Sequence, residues 1–559
     1  MITPSLSGRS SHRTLLLPFA VFLIAFSLVL VARSADSASA EKAEFESAAP
    51  TLDSDPVGRA AMLTPEADFS SSPDPLLRRK GGGKNVDIGF ADFLYNEESD
   101  SEKQLKKTKS TNADIIRVNM YWSLVAPTQP ADPRNPDDPA YNWTQYDRAI
   151  VNASNMGFDV DLTVLAAPGW AEGPNRPDIE EAPPGSWKPD ADAFGDFAHA
   201  LAIRYSGTYV PGSSAPGTGT GTGGSSGGSG GLPPILPLPL RADETLPFVK
   251  YLEAWNEPNL STYITPQWDG KDNVASDIYQ KLLNAFYSEV KAVNDDFQVV
   301  SGGTAPYGDP PGGPNRTRPE DFYQELLCLT PKNKKTTCPN GGTPSNFDII
   351  AHHPINREDP PTKHAIADGD IEVADFGELT TVLRKAEKAG TTGTPGHHDL
   401  WANEVWWQTN PPDKDEGVSL KTHARWTAQA IYLLWKQGAS NVSFLQFRDA
   451  KYTKGEFTLA SYQTGVYTFD DKRKPSADAV AFPFVTDKKG KGYIGWGIAP
   501  KSGTVKIEAK EKGKGDYRTV GSAKVKEGKV FQTNVKIKGE AKVRATVGGQ
   551  RSLVWDQKN

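Results

Sequence analysis

The chain has 559 residues, 62 basic and 69 acidic side chains, and a formal net charge of −7 at pH 7. That balance leaves no charge-based case for nucleic acid or an acidic polymer as a partner. The length suffices for a large barrel plus a smaller domain, and the low hydrophobic content, 37%, reflects polar low-complexity segments rather than a poor core.

At the N-terminus, Arg9, His12 and Arg13 precede an apolar run from Leu15 to Ala32, and Ala38-Ser39-Ala40 follows as a small-residue cleavage site. Residues 1–40 therefore read as a signal peptide, or as a membrane anchor, since the run is about long enough to span a bilayer. The Ser-, Pro- and Asp-rich stretch 41–84 reads as a disordered spacer. From there the pattern alternates between short apolar runs and amphipathic segments. Strands are expected at Val86–Phe93, Ile115–Tyr121, Asp159–Leu165, Val249–Asn256, Gln298–Thr304, Phe347–His353, Leu400–Glu404 and Asn441–Phe447. Helices are expected at Trp143–Met156, Asp190–Tyr205, Ser276–Asn294, Pro319–Leu329, Phe376–Ala389 and Leu420–Gln437. Nearly continuous apolar strands alternating with helices point to a parallel sheet covered on both faces. Eight such units over 85–482 point to a closed (β/α)₈ TIM barrel.

The segment 206–240, first Gly/Ser/Thr-rich and then Pro-rich, interrupts that rhythm between a helix and the next strand. It reads as a flexible insertion on the face of the barrel away from chemistry. From 483 to 559 the period changes to two, in runs such as Thr504–Ala509, Val530–Ile537 and Lys542–Val547, which describes a C-terminal antiparallel β-sandwich. Cys328 and Cys338, the two cysteines of the chain, enclose a Lys-rich loop and read as one disulfide of an exported protein.

Two glutamates carry the chemistry. In Tyr251-Leu252-Glu253-Ala254-Trp255-Asn256-Glu257-Pro258-Asn259 an apolar run delivers Asn256 and Glu257 side by side and stops at Pro258. Proline cannot extend a ladder, so Glu257 sits where a strand ends, the end at which barrel enzymes collect reactive groups. A carboxylic acid there suits proton donation to a glycosidic oxygen. A second strand-end acid, Glu404, follows Leu400-Trp401-Ala402-Asn403 and precedes Trp406 and Trp407. Glu253 shares the alternate-residue spacing of Trp255 and Glu257, and reads as a buried supporting group beneath Glu257. Arg117, in the second strand, can lower the pKa of a carboxylate beside it. Trp122, Trp170, Tyr307, Trp406 and Trp407 follow strand ends and are candidates for stacking on sugar rings. Adjacent strand residues face opposite ways, so His352 and His353 make a poor zinc pair. The expected metal and cofactor set is none.

The tetrapeptide Trp255-Asn256-Glu257-Pro258 resembles the acid/base motif of clan A glycoside hydrolases, and the Glu404 segment is similar to the nucleophile strand of that clan. The whole pattern from Val86 onward most resembles family 39 and neighbouring families, which combine a barrel with a β-sandwich and act on β-xylosides and related glycosides. The resemblance implies Glu257 as acid/base and Glu404 as nucleophile. It also implies Asn256 on the sugar 2-hydroxyl, Arg117 hydrogen-bonded to the nucleophile, and His353 presented near it from the sixth strand. Ile355 stands where relatives have an aromatic, and Ser443-Phe444-Leu445-Gln446-Phe447 lacks the tryptophan that many members carry on the eighth strand. The implied function is an extracellular retaining glycoside hydrolase acting on a β-linked oligo- or polysaccharide, with a membrane involved only if the N-terminal segment stays uncleaved. An inactive carbohydrate-binding barrel and a transglycosylase are the alternatives.

Overall fold

The computed structural model describes residues 85–96, 101–212, 245–313, 315–490, 492–512 and 515–558. Residues 1–40, expected to be a signal peptide or anchor, the stretch 41–84 expected to be a spacer, and most of the Gly/Ser/Pro-rich insertion lie outside the described residues. No helix among the described residues is long and apolar enough to cross a membrane.

Eight parallel strands close into a barrel: β1 (Asp87–Ala91), β2 (Ile115–Tyr121), β3 (Asp159–Leu165), β4 (Tyr251–Ala254), β5 (Gln298–Ser301), β6 (Ile349–His352), β7 (Asp399–Val405) and β8 (Asn441–Leu445). Every strand pairs in parallel with its sequence neighbours, and β8 closes on β1 from Asp87↔Asn441 to Ala91↔Leu445. The expected (β/α)₈ barrel is therefore present, with several strands shorter than their apolar runs suggest. Apolar residues beyond Ala254, Ser301 and Leu445 belong to turns that line the mouth.

The main helices are α1 (Ser101–Lys109), α2 (Thr144–Asn155), α3 (Ala191–Arg204), α4 (Val274–Val293), α5 (Pro319–Leu326), α6 (Phe376–Ala389), α7 (Leu420–Gln437) and α8 (Pro475–Ala481). Their ends follow from local chemistry. The Asp190 carboxylate accepts from Ala193 N at the start of α3, and α6 and α7 stop at Gly390 and Gly438 in the left-handed region. Their apolar faces pack on the outer side of the strands, burying residues such as Phe194, Phe286, Leu379 and Ile431. Each such side chain contributes roughly 1.5–3 kcal/mol when fully removed from water.

After α8 the chain forms two antiparallel sheets. One contains β9 (Phe484–Lys489), β10 (Gly492–Ile498) and β13 (Val530–Val535); the other contains β11 (Gly503–Glu511), β12 (Arg518–Val525) and β14 (Ala541–Val547). They pack face to face: a Cβ on Gly495 of β10 would lie 2.5 Å from Ile507 Cδ1 of β11. Trp496 anchors the sheets to the barrel, with its ring 5.3 Å from both Tyr432 and Trp435 of α7. Cys328 and Cys338 form the expected disulfide, bridging the loop after α5.

Candidate active site

The barrel interior is layered. Ile115, Tyr251, Val300, Ile349, Ala351 and Trp401 form an apolar plug of inward-facing strand residues. Above it lies an ionic layer built around Arg117, whose side chain is 1% exposed. Arg117 Nε donates to Glu253 at 2.8 Å, Nη2 to Asn256 Oδ1 at 2.8 Å, and Nη1 to Glu404 at 3.4 Å. Glu253 also accepts from Thr163 Oγ1 (2.5 Å), Gly303 N (3.1 Å) and Asn403 Nδ2 (3.1 Å). Burial pushes its carboxyl up, but the Arg117 charge and these donors outweigh burial and hold it below the usual range. Burial and the Glu253 charge drive neighbouring Asp161 the other way, so Glu253 carries the negative charge of the pair. Glu253 is thus the supporting acid expected from sequence. It takes the larger share of Arg117, and Glu404 receives the weaker contact.

Glu257 and Glu404 sit above this layer at the mouth. One carboxylate oxygen of each and His353 Nδ1 lie within 4.8 Å of one another. His353 Nδ1 is 2.9 Å from Glu257 Oε1 and 3.7 Å from Glu404 Oε2. The loop backbone aims both acids. On strict alternation Trp255 would face inward with Glu253. Instead Trp255 has φ 78°, and its ring turns outward against Phe194 of the helix layer. Asn256 then meets Arg117, and Glu257, at φ 37°, faces the cleft. Left-handed backbone at two non-glycine residues stores strain of order 1–3 kcal/mol each, a cost met most often at functional sites. On β7, Ala402 and Val405 pair with Val442 and Phe444 of β8, so two residues of β7, Asn403 and Glu404, oppose the single Ser443. This bulge lets Asn403 and Glu404 both face the interior and turns Val405 out to the helix layer.

The electrostatics separate the two acids. Burial raises the Glu257 carboxyl to about 7, against a small opposing pull from Arg117. Desolvation carries the shift. Burial also raises Glu404, with the Glu257 charge adding to it and His353 and Arg117 offsetting it in part. Burial lowers His353 to about 4, so above that pH it is a neutral hydrogen-bonding group, and the pull of its charge on Glu404 is confined to lower pH. His352 faces away: its ring bonds Thr304 Oγ1 and Ile371 O at 2.8 Å each, which removes the adjacent-histidine metal pair. Two carboxylates and one imidazole around a common point do have the composition of a divalent-cation site, and Glu257, His353 and Glu404 are the residues that could hold one.

The cleft, open to solvent, is lined by both glutamates together with Tyr307, Arg316, Ile355, Trp406, Leu445 and Tyr462, among others. Tyr307 and Trp406 therefore stand where sugar-stacking residues were expected. Trp122 does not. It is fully buried against Trp170, Phe194 and Phe197, because the short helix after β2 turns it into the layer between sheet and helices. Trp170 packs edge-on to Trp122, donates to Ala126 O and is not a lining residue of the cleft. Trp407 is likewise buried, with its Nε1 donating to Asp359 O.

Sequence reasoning missed Tyr462, Phe457 and Arg316, which come from long loops after β8 and β5 and carry no motif. Ile355 and Leu445, noted only as departures from the resembling family, join Trp406 and Tyr462 in a separate apolar cluster at the mouth. Apolar residues in a loop that should be polar were the one available signal for Phe457 and Tyr462.

No protein-family profile matches the chain, and no curated protein matches it. Its fold is similar to those of several solved structures. A family 39 glycoside hydrolase from the gut symbiont Bacteroides cellulosilyticus WH2 shares 15% identity over 81% of each chain, with a TM-score of 0.48. A family 39 β-xylosidase from Caulobacter crescentus shares 16% identity over 78% of this chain and 84% of its own, with a TM-score of 0.41. The family 39 enzyme from Xanthomonas axonopodis pv. citri shares 12% identity over 81% and 92%, with a TM-score of 0.43. At these identities and TM-scores the likeness carries nothing about activity, and the chemistry is read from the site itself.

Proposed function

We propose that the protein is a retaining glycoside hydrolase that cleaves a β-linked saccharide through Glu257 and Glu404. The observation that carries this reading is the approach of the two carboxylates, with oxygens within 4.8 Å of each other across the cleft. Retaining enzymes hold their carboxyl groups about 5–5.5 Å apart, whereas inverting enzymes need about 6.5–9.5 Å to admit a water. Glu404, contacted by Arg117, attacks the anomeric carbon. Glu257, neutral below about pH 7, protonates the departing oxygen. The glycosyl–Glu404 ester is then hydrolysed by a water that the Glu257 carboxylate deprotonates, which returns the acid to its starting state. Arg117 fixes the Asn256 amide by taking its Oδ1. This leaves the Nδ2 end for the sugar 2-hydroxyl, a contact that strengthens in the transition state. Export belongs to the same reading, supported by the N-terminal sequence pattern and by a disulfide, which persists in oxidising compartments.

The test is hydrolysis of aryl β-glycosides (xyloside, glucoside, galactoside, arabinoside), with Glu404→Ala and azide as the control. Turnover by the intact protein is expected, and azide should restore the variant with formation of an α-glycosyl azide. A product of inverted configuration from the intact protein would refute the reading.

A further inference from the structure

We propose that Gly303, in the turn after β5, is the positioning residue that sets the proton donor. This rests on the glycosidase reading above. Gly303 meets the site three ways. Its carbonyl accepts the Glu257 backbone N–H at 2.8 Å, where the chain turns into the left-handed region. Its own N–H donates to Glu253 Oε1 at 3.1 Å, tying the turn to the ionic layer. Its missing side chain is the third contact: a Cβ here would lie 2.4 Å from His353 Nε2, 2.6 Å from His353 Cδ2 and 2.9 Å from Asn403 Oδ1.

Glycine is needed at this position for space. Gly303 is not among the glycines with positive φ, so its backbone conformation is open to any residue. Both neighbours are closed in, His353 and Asn403 being 0% exposed. A methyl group at 303 would therefore force the imidazole from its present place, and with it Nδ1, opposite the Nε2–Cδ2 edge, whose 2.9 Å contact with Glu257 would be distorted.

That bond matters because it decides which Glu257 oxygen carries the proton. When Glu257 is ionised, Nδ1 must be the N–H that donates to Oε1, and Nε2 is a bare acceptor. Nε2 and Asn403 Oδ1 have no hydrogen-bond partner among the described residues, and both lie against the space a Cβ on Gly303 would take. With Oε1 occupied by the His353 N–H, the acidic proton belongs on Oε2. Gly303 thus fixes His353, and His353 fixes the donor oxygen.

The experiment is Gly303→Ala in the full chain, assayed on the wild type's preferred sugar as two glycosides, one with a phenyl and one with a dinitrophenyl leaving group. A dinitrophenolate leaves without a proton, so its release does not depend on the acid. The expected result is a kcat/KM loss of about a hundredfold or more on the phenyl glycoside, in the range that general acid catalysis supplies, and less than about tenfold on the dinitrophenyl glycoside.

In a His353→Ala background the same substitution should cost much less, since the two closest contacts are gone and only that with Asn403 Oδ1 remains. That comparison also separates mispositioning from misfolding. Equal losses on both glycosides, or losses that simply multiply in the double variant, overturn the proposal. A crystal structure of G303A decides it without any assay: the imidazole should be displaced from its wild-type position against Glu257, and an undisturbed ring refutes the inference. If the wild type hydrolyses no glycoside, the glycosidase reading fails, while the structural arm still tests Gly303.

Discussion

Replacing Glu257 by Gln should stabilise the protein above neutral pH while removing its activity. The Glu257 carboxyl is 9% exposed and is raised by burial from 4.5 to about 7. Between those values the folded state holds a proton that the unfolded state has released, so stability falls as pH rises through this window, and the loss is complete above it. Carrying a carboxyl from 4.5 to about 7 corresponds to about 3 kcal/mol, at about 1.4 kcal/mol per tenfold in proton affinity. Glutamine has nearly the same shape and no proton to lose, so this group no longer makes the variant pH-dependent. Urea unfolding of wild type and Glu257→Gln, followed by tryptophan fluorescence in steps from about pH 4 to about pH 8, reads the difference directly. Whatever the gap at the acid end, it should widen in favour of the variant by about 3 kcal/mol at the alkaline end. A constant gap, or one that widens in favour of the wild type, would refute the claim that a desolvated acid sits at 257.

Other consequences are as direct. The kcat/KM of the wild type should fall as pH rises through about 7, because the proton donor is then lost from the free enzyme; a limb near the ordinary carboxylate range would contradict the burial argument. Arg117→Leu leaves Glu253 buried without its counter-charge, and should cost about 3–5 kcal/mol in unfolding free energy, much of it regained in Arg117→Leu/Glu253→Leu. Reducing the Cys328–Cys338 disulfide, which closes a separation of 10 residues, should lower stability by about 2–3 kcal/mol and leave kcat nearly unchanged, since the loop lies outside the cleft. Extended dialysis against a chelator should leave hydrolysis intact; loss of activity restored by a divalent ion would mean that Glu257, His353 and Glu404 hold a metal instead of a sugar.

The sequence by itself determined the barrel, because eight apolar runs alternating with amphipathic helices have few other ways to bury both faces of a parallel sheet. It also singled out two acids at strand ends: Pro258 ends one strand beside Glu257, and Glu404 ends the other beside Trp406 and Trp407. Tertiary structure decided how those acids point. Period-two reasoning sends Trp255 inward, yet two left-handed residues reverse it, and a bulge on β7 places Asn403 and Glu404 on the same side. Turns and bulges of this kind depend on the register between strands that are remote in sequence, which no local pattern encodes. The same holds for the cleft wall. Trp122 reads as a strand-end aromatic but is drawn into the helix layer by Phe194 and Phe197, whereas Tyr462 and Phe457 reach the mouth through a loop whose path is set by packing on Trp406. Gly303 shows the limit most sharply. In the sequence it is one glycine among 51, and its importance exists only because His353 and Asn403, from two other strands, close on the space where a side chain would be.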